Sequence, residues 1–209
     1  MDDYITSTIA GYDVFADEYA RQTFDHAPKE ERERFVLLIR PHGCILDVGC
    51  GNGRDCGYFA EKGFQVHGVD LSEKLLAIAK NMFPTATFSQ ADIRHLPFMH
   101  DSFDAIWSCM SLVHIKHEDV LSVLKSFYSI LKKDGILFVY VKKGDGEIVK
   151  EEPSVPGFKR FYSLFQKDKL RQYITDAHFT IIDCYERTKC KEYVAGNALP
   201  RIVCFAKKV

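Results

Sequence analysis

Ile45-Leu46-Asp47-Val48-Gly49-Cys50-Gly51-Asn52-Gly53-Arg54 decides how this chain folds. An apolar, strand-like run enters a turn with glycine at every second position, and a helical pattern opens at Arg54 and continues to Lys62. Glycine tolerates backbone angles that a Cβ forbids and lets a ligand approach the main chain closely. The first amides of the following helix then face that ligand, as in sites that hold nucleotides. The stretch therefore points to a nucleotide-like cofactor, and Asp47, an acid set before the first glycine, bears on which one.

Working outward, strands read at 44–48, 65–70, 86–90, 103–108 and 135–141, with helices near 54–62, 73–81 and 118–132 between them. The last helix carries Val120, Leu121, Leu124, Phe127, Tyr128 and Leu131 at helical spacing, enough to cover one face of a sheet. Ser72 is placed to cap the second helix, and Asp134-Gly135 to end the third. Strands separated by helices of this length predict a parallel sheet with right-handed crossovers. Residues 1–40 read as a helical cap and 44–141 as the core. The polar stretch 142–165 reads as a loop on the substrate side, too long for a simple connector, and 166–209 as a helix and a β-pair. The expected whole is one α/β domain: a Rossmann-like, doubly wound, mostly parallel seven-stranded sheet with an antiparallel C-terminal strand and helices on both faces.

Composition narrows the classes. The 209 residues are 46% hydrophobic and 27% charged, ordinary for a globular protein. A formal net charge of −1 supplies no global field for nucleic acid, although a local basic patch stays open. The seven cysteines are odd in number and form no C-x-x-C pair, which argues against a zinc site and a disulfide framework and for a reducing, cytoplasmic setting. Met1-Asp2-Asp3-Tyr4 shows no basic-then-apolar leader, and no apolar run reaches membrane-spanning length.

Three acids fall at the ends of the first three strands, where open parallel sheets bind ligands. Asp47 lies in the turn. Asp70 ends the second strand, where a carboxylate accepts two hydrogen bonds from a ribose diol. Asp92 follows the third, placed to accept from an exocyclic amine, with Ile93 beside it against a flat base. One such acid is most often a turn or cap residue; three in order are not explained that way.

With these residues the chain resembles the class I S-adenosylmethionine-dependent methyltransferases. The matching motifs are Leu46 to Gly53, Val69-Asp70-Leu71-Ser72, Ala91-Asp92-Ile93 with Leu96-Pro97-Phe98, Phe103-Asp104-Ala105-Ile106-Trp107-Ser108, and Leu131 to Leu137. The resemblance implies that Gly49, Cys50 and Gly51, with Gly53 completing the turn, line the methionine part of S-adenosylmethionine, and that Asp47 holds its amino group, directly or through water. It implies that Asp70, followed by Leu71 and Ser72, binds the ribose, that Asp92 and Ile93 hold the adenine, and that the Ser108 carbonyl meets the ammonium. It further implies that Tyr12 and Tyr19 sit on a helix closing over the cofactor, and that Arg54 meets its carboxylate. For these last three, core packing and a surface arginine are equal alternatives.

Methyl transfer from a sulfonium depends mostly on placement, and a base is required only if the acceptor must lose a proton. His114, just after the fourth strand, is the candidate base; loop ordering is the alternative role. Arg160 and Tyr162 are candidates for contact with an anionic or aromatic acceptor, against a reading of Tyr162 as core and Arg160 as surface. The acceptor is expected to be a small molecule methylated on oxygen or nitrogen. Competing readings are a tRNA (modified uridine) methyltransferase, an NAD-dependent dehydrogenase and a non-enzymatic binding module on the same fold. Acceptor identity and oligomeric state are not legible, and no metal is expected.

Overall fold

The structure, a computed structural model, describes residues 3–151, 158–187 and 200–209. The N-terminal region forms three helices, α1 (Asp3–Val14), α2 (Ala16–Thr23) and α3 (Lys29–Leu37). The core alternates β1 (Cys44–Val48), α4 (Arg54–Glu61), β2 (Gln65–Asp70), α5 (Glu73–Met82), β3 (Thr87–Gln90), β4 (Phe103–Cys109), α6 (His117–Ile130) and β5 (Leu131–Lys142). Then follow β6 (Glu147–Glu151), β7 (Lys159–Ser163), α7 (Lys167–Asp176), β8 (Thr180–Arg187) and β9 (Arg201–Lys207).

The main sheet has seven strands in the order β3-β2-β1-β4-β5-β9-β8. The first five are parallel neighbours, and β9 runs antiparallel between β5 and β8. This is the fold expected from the sequence. The order reverses between β1 and β4, and a doubly wound sheet opens a crevice there at its carboxyl edge.

Period-two alternation sorts the core. On one face Leu46, Val48, Ile106, Leu137 and Val139 join Leu124 and Phe127 of α6 and Leu170 and Ile174 of α7. On the other, Ile45, Ala105, Trp107, Ile136 and Phe138 pack against Phe35 of α3 and Phe59 of α4. Trp107 and Phe138 stack there with ring centroids 3.8 Å apart. The alternation also determines where Asp47 points, because it shares the face of Ile45 rather than that of Leu46 and Val48.

Two differences from the sequence reading stand out. The stretch read as a loop over 142–165 contains β6, paired antiparallel with β7 in a separate two-stranded sheet. Its Ile148 and Val149 are both exposed, so no apolar-polar alternation marks the strand. The sixth helix ends at Ile130, and the chain is already extended through Leu131, before Asp134-Gly135. Part of the segment 166–209 read as a helix and a β-pair, residues 188–199 with Cys190, lies outside the described residues.

Candidate active site

The glycine turn between β1 and α4 uses left-handed backbone at Gly49 (φ 70°), Gly51 (φ 55°) and Gly53 (φ 76°). The Gly49 and Cys50 amides donate to the Val69 carbonyl at 2.8 and 2.9 Å, tying the turn to β2. A Cβ on Gly49 would lie 2.6 Å from the Cβ of Ser111, whereas one on Gly51 would meet only the Tyr19 ring, at 3.8 Å. Gly51 thus keeps open room above the backbone.

Asp70 joins two segments. Its Oδ2 accepts from the Gly51 amide at 2.8 Å and its Oδ1 from the Ser72 amide at 2.9 Å. Burial pushes its pKa above the ordinary range, against the opposing pull of these amides. Each carboxylate oxygen carries two lone pairs, so both keep capacity on the side facing a cavity of about 300 Å³. Ala91, Asp92 and Ile93 continue that wall beyond Leu71. Arg94 grips Asp92, its Nη2 donating to Oδ2 at 2.8 Å. Burial raises the Asp92 pKa, but the hydrogen bonds from Arg94 outweigh it and hold the carboxyl below its usual range.

Across the cavity, α1 and α2 bring Tyr12 and Tyr19 together edge to face, with centroids 5.0 Å apart. Asn52 donates to the Ala20 carbonyl and Arg54 to the Thr23 carbonyl, at 3.3 and 2.8 Å, so the glycine turn holds α2 above itself.

His114 lies in the turn between β4 and α6. Its Nδ1 is 2.8 Å from the Phe161 carbonyl and its Nε2 is 3.1 Å from the Tyr12 hydroxyl. A carbonyl only accepts, so Nδ1 carries the proton and Nε2 accepts from Tyr12. Arg160 in turn donates to the Tyr12 oxygen at 3.1 Å. Burial lowers the His114 pKa to about 3, with Arg160 and Lys142 adding to the effect against the Phe161 hydrogen bond. Arg160, Tyr162, Lys142, Arg201 and Phe158 complete this end of the wall. Met110, left-handed at φ 62°, turns the chain out of β4 toward the cavity.

Of the residues singled out in the sequence, Tyr12, Tyr19, Gly49, Gly51, Asp70, Leu71, Asp92, Ile93, His114, Arg160 and Tyr162 line one cavity. The others stand behind its wall. Asp47 faces α4, where the Cys56 thiol donates to it at 3.2 Å, because strand alternation turns it away from the crevice. The Cys50 thiol is buried, and burial pushes its pKa up to about 11. A Cβ on Gly53 would approach that of Ala79 to 2.8 Å, so this glycine admits α5 rather than a ligand. Arg54 pairs with Asp55 at 3.0 Å. Ser72 caps α5 by accepting from the Leu75 amide and donates to Asp13 at 2.5 Å. Ser108 is fully buried, its hydroxyl 2.7 Å from that of Ser111.

The sequence reading missed Asp55, Arg32, Lys142 and Arg201. Asp55 receives hydrogen bonds from Arg32, Arg54 and Trp107, a buried knot joining α3, α4 and β4. Its partner Arg32 lies 23 residues earlier, a separation that no local pattern signals. Lys142 and Arg201 end and begin strands, where a basic residue reads as surface.

Sheet order, glycine turn and acid-lined crevice are those that the resemblance to class I S-adenosylmethionine-dependent methyltransferases implies. Residues 45–135 match the model of the methyltransferase domain family. A Bacillus subtilis (strain 168) protein, YqeM, whose name places it among the methyltransferases, is 36% identical over 132 residues, which are 60% of this chain and 53% of that one. The chain spans about half the length of the curated relatives it matches. A solved S-adenosylmethionine-dependent methyltransferase from Methanosarcina mazei shares the fold with a TM-score of 0.76 at 19% identity, covering 88% of this chain and 98% of that one. So does the 1,6-didemethyltoxoflavin-N1-methyltransferase of Burkholderia thailandensis, solved with S-adenosylhomocysteine, with a TM-score of 0.70, 24% identity, and 99% and 86% coverage. Among the described residues no helix is long and apolar enough to cross a membrane, and no cluster of potential metal ligands occurs.

Proposed function

We propose that this chain transfers a methyl group from S-adenosylmethionine to an oxygen or nitrogen of a small-molecule acceptor, with 44–141 as cofactor-binding core and 1–40 as its cap. The observation carrying the reading is Asp70, whose carboxylate bridges the glycine turn and the start of α5 while facing the cavity. Its remaining lone pairs suit a ribose diol. Gly51, which leaves the space above it open, suits close passage of the methionine part. Ile93 and Leu71 offer an apolar slot for the adenine, with Asp92 at its edge.

Bound there, S-adenosylmethionine supplies a methyl group made electrophilic by a sulfonium. The chain's own residues place and shield. Tyr12 and Tyr19 roof the cavity and keep bulk water off the reacting centre. Held in one tautomer by the Phe161 carbonyl, His114 has one accepting nitrogen, Nε2, which serves an acceptor once the Tyr12 hydroxyl turns aside. It fixes an acceptor hydroxyl or amine by hydrogen bonding and takes its proton where the acceptor must lose one. No disulfide joins the six described cysteines, in keeping with a reducing, cytoplasmic setting.

The test is Asp70→Ala, with Asp70→Asn beside it, titrated with S-adenosylhomocysteine by calorimetry. Two charge-assisted hydrogen bonds, each about 1.5 to 3 kcal/mol, correspond to a loss of roughly a hundredfold or more in affinity. Circular dichroism and thermal melting report whether the fold survives. Unchanged affinity in a folded variant refutes the ribose assignment.

A further inference from the structure

The cavity is polarised. Asp70 and Asp92 lie at the β2 and β3 end, while Lys142, Arg160 and Arg201 lie at the β5, β7 and β9 end. β5 is two strands from β1, about 10 Å across the sheet. The basic residues are not dispersed. Lys142 and Arg201 are direct cross-strand partners in the main sheet, and Lys150 and Arg160 are direct partners in the small one. Like charges set opposite one another destabilise a sheet, and here the arrangement occurs twice around one end of one cavity.

The carboxylates on the wall are engaged elsewhere: Glu18 with Arg21 and Gln22, Asp70 with backbone amides, Asp92 with Arg94. Lys142 has no carboxylate partner among the described residues; its Nζ sits 3.4 Å from the centroid of the Tyr162 ring. Arg160 faces three rings, its guanidinium carbon 5.5 Å from Tyr12, 5.5 Å from Phe158 and 5.4 Å from Tyr162. Cations over aromatic faces beside a cavity form a surface on which a flat organic anion has both a charge partner and a stacking partner.

We infer that the acceptor is a small organic molecule bearing a carboxylate, its anionic group held by Lys142, Arg160 and Arg201 and its body packed against Tyr12, Phe158 and Tyr162. This rests on the methyltransferase reading and names the substrate class for that site. The groups facing Lys142 are Arg160 and Tyr162 from β7, Arg201 from β9, Lys150 from β6 and His114 from the turn after β4. Burial, with Arg160, Arg201 and Lys150, lowers the Lys142 pKa to about 7. An arriving anion favours the ammonium, so binding near neutrality takes up a proton, and affinity falls as pH rises above about 7.

The experiment is calorimetry in HEPES and in Tris, whose ionisation heats differ, first with S-adenosylhomocysteine and then, on the loaded protein, with benzoate, 3-phenylpropionate and 4-hydroxybenzoate, each against its primary amide. At least one carboxylate is expected to bind roughly tenfold or more tighter than its amide, with uptake of about half a proton near pH 7. Lys142→Met and Arg160→Leu are expected to remove that preference, and Lys142→Met the proton uptake, while affinity for S-adenosylhomocysteine stays within about threefold. Circular dichroism checks the fold of each variant. Failure to bind S-adenosylhomocysteine refutes the methyltransferase reading itself. Cofactor binding with no carboxylate preference in the wild type overturns the substrate class alone. Variants that weaken S-adenosylhomocysteine as much as the carboxylate reassign the cations to the cofactor and also overturn it.

Discussion

His114 makes the stability of this protein depend on pH over a defined window. In the folded chain its pKa lies at about 3, set first by burial and then by Arg160 and Lys142; in an unfolded chain it returns to about 6.5. Between those values the unfolded state binds a proton that the folded state does not, so stability is full above about pH 6.5 and declines as pH falls toward 3. Each pH unit in the window is worth about 1.4 kcal/mol, which gives an upper bound of about 2 kcal/mol at pH 5. Because His114 faces a cavity that admits water, screening reduces the expected loss to about 1 kcal/mol. The assay is urea unfolding of wild type and His114→Gln at about pH 7 and pH 5. Other groups titrate in both proteins and cancel in the difference, so the wild type is expected to lose about 1 kcal/mol more than the variant. Ring proton NMR supplies the direct check, with no His114 titration down to about pH 5. Equal pH dependence in the two proteins, or an NMR midpoint near 6.5, refutes the assignment of a neutral, Nδ1-protonated imidazole.

The buried knot around Asp55 yields another outcome. Asp55→Ala leaves Arg32 and Arg54 without the carboxylate they share, and the expected loss is about 3 to 5 kcal/mol in chemical denaturation; a loss below about 1 kcal/mol contradicts the burial of that network. Gly49→Ala combines a left-handed φ of 70° with a Cβ that would sit 2.6 Å from that of Ser111. It is expected to cost about 2 to 4 kcal/mol and to weaken S-adenosylhomocysteine binding in calorimetry, because the turn must shift.

The stretch that opened the sequence reading carries its structure almost residue for residue: β1 spans Cys44–Val48 as read, and α4 starts at Arg54. Local signals suffice there, since an apolar run, a glycine turn and a helix start are all short-range features. Asp47 and Asp70 show the limit. Both are acids at strand ends, yet one faces α4 and the other the cavity. The difference was present in the alternation of Ile45, Leu46 and Val48 around Asp47, but only knowledge of which face α4 covers converts it into a direction. β6 escaped because Ile148 and Val149 are exposed among charged neighbours, leaving strand formation to its pairing with β7. Lys142 and Arg201 escaped for a related reason. They come from strands distant in sequence and meet through the pairing of β5 with β9, where Arg160, already a candidate, joins them from the separate β6-β7 sheet.

That assembly gives the basic end two consequences that work together. Arg160 and Lys142 are the charges that push His114 down, after burial. They are also the charges proposed to receive the acceptor's carboxylate. An anion placed between them offsets the positive field that His114 feels, and the imidazole regains basicity when the acceptor arrives. Until then the ring stays neutral, with Nε2 engaged by Tyr12. In the proposed reaction His114 and the anion site therefore form one electrostatic unit, in which the charge of the bound acceptor sets the readiness of His114 to take its proton. On this proposal a neutral acceptor in the same place leaves His114 weakly basic, so discrimination by charge extends from binding to the proton-transfer step.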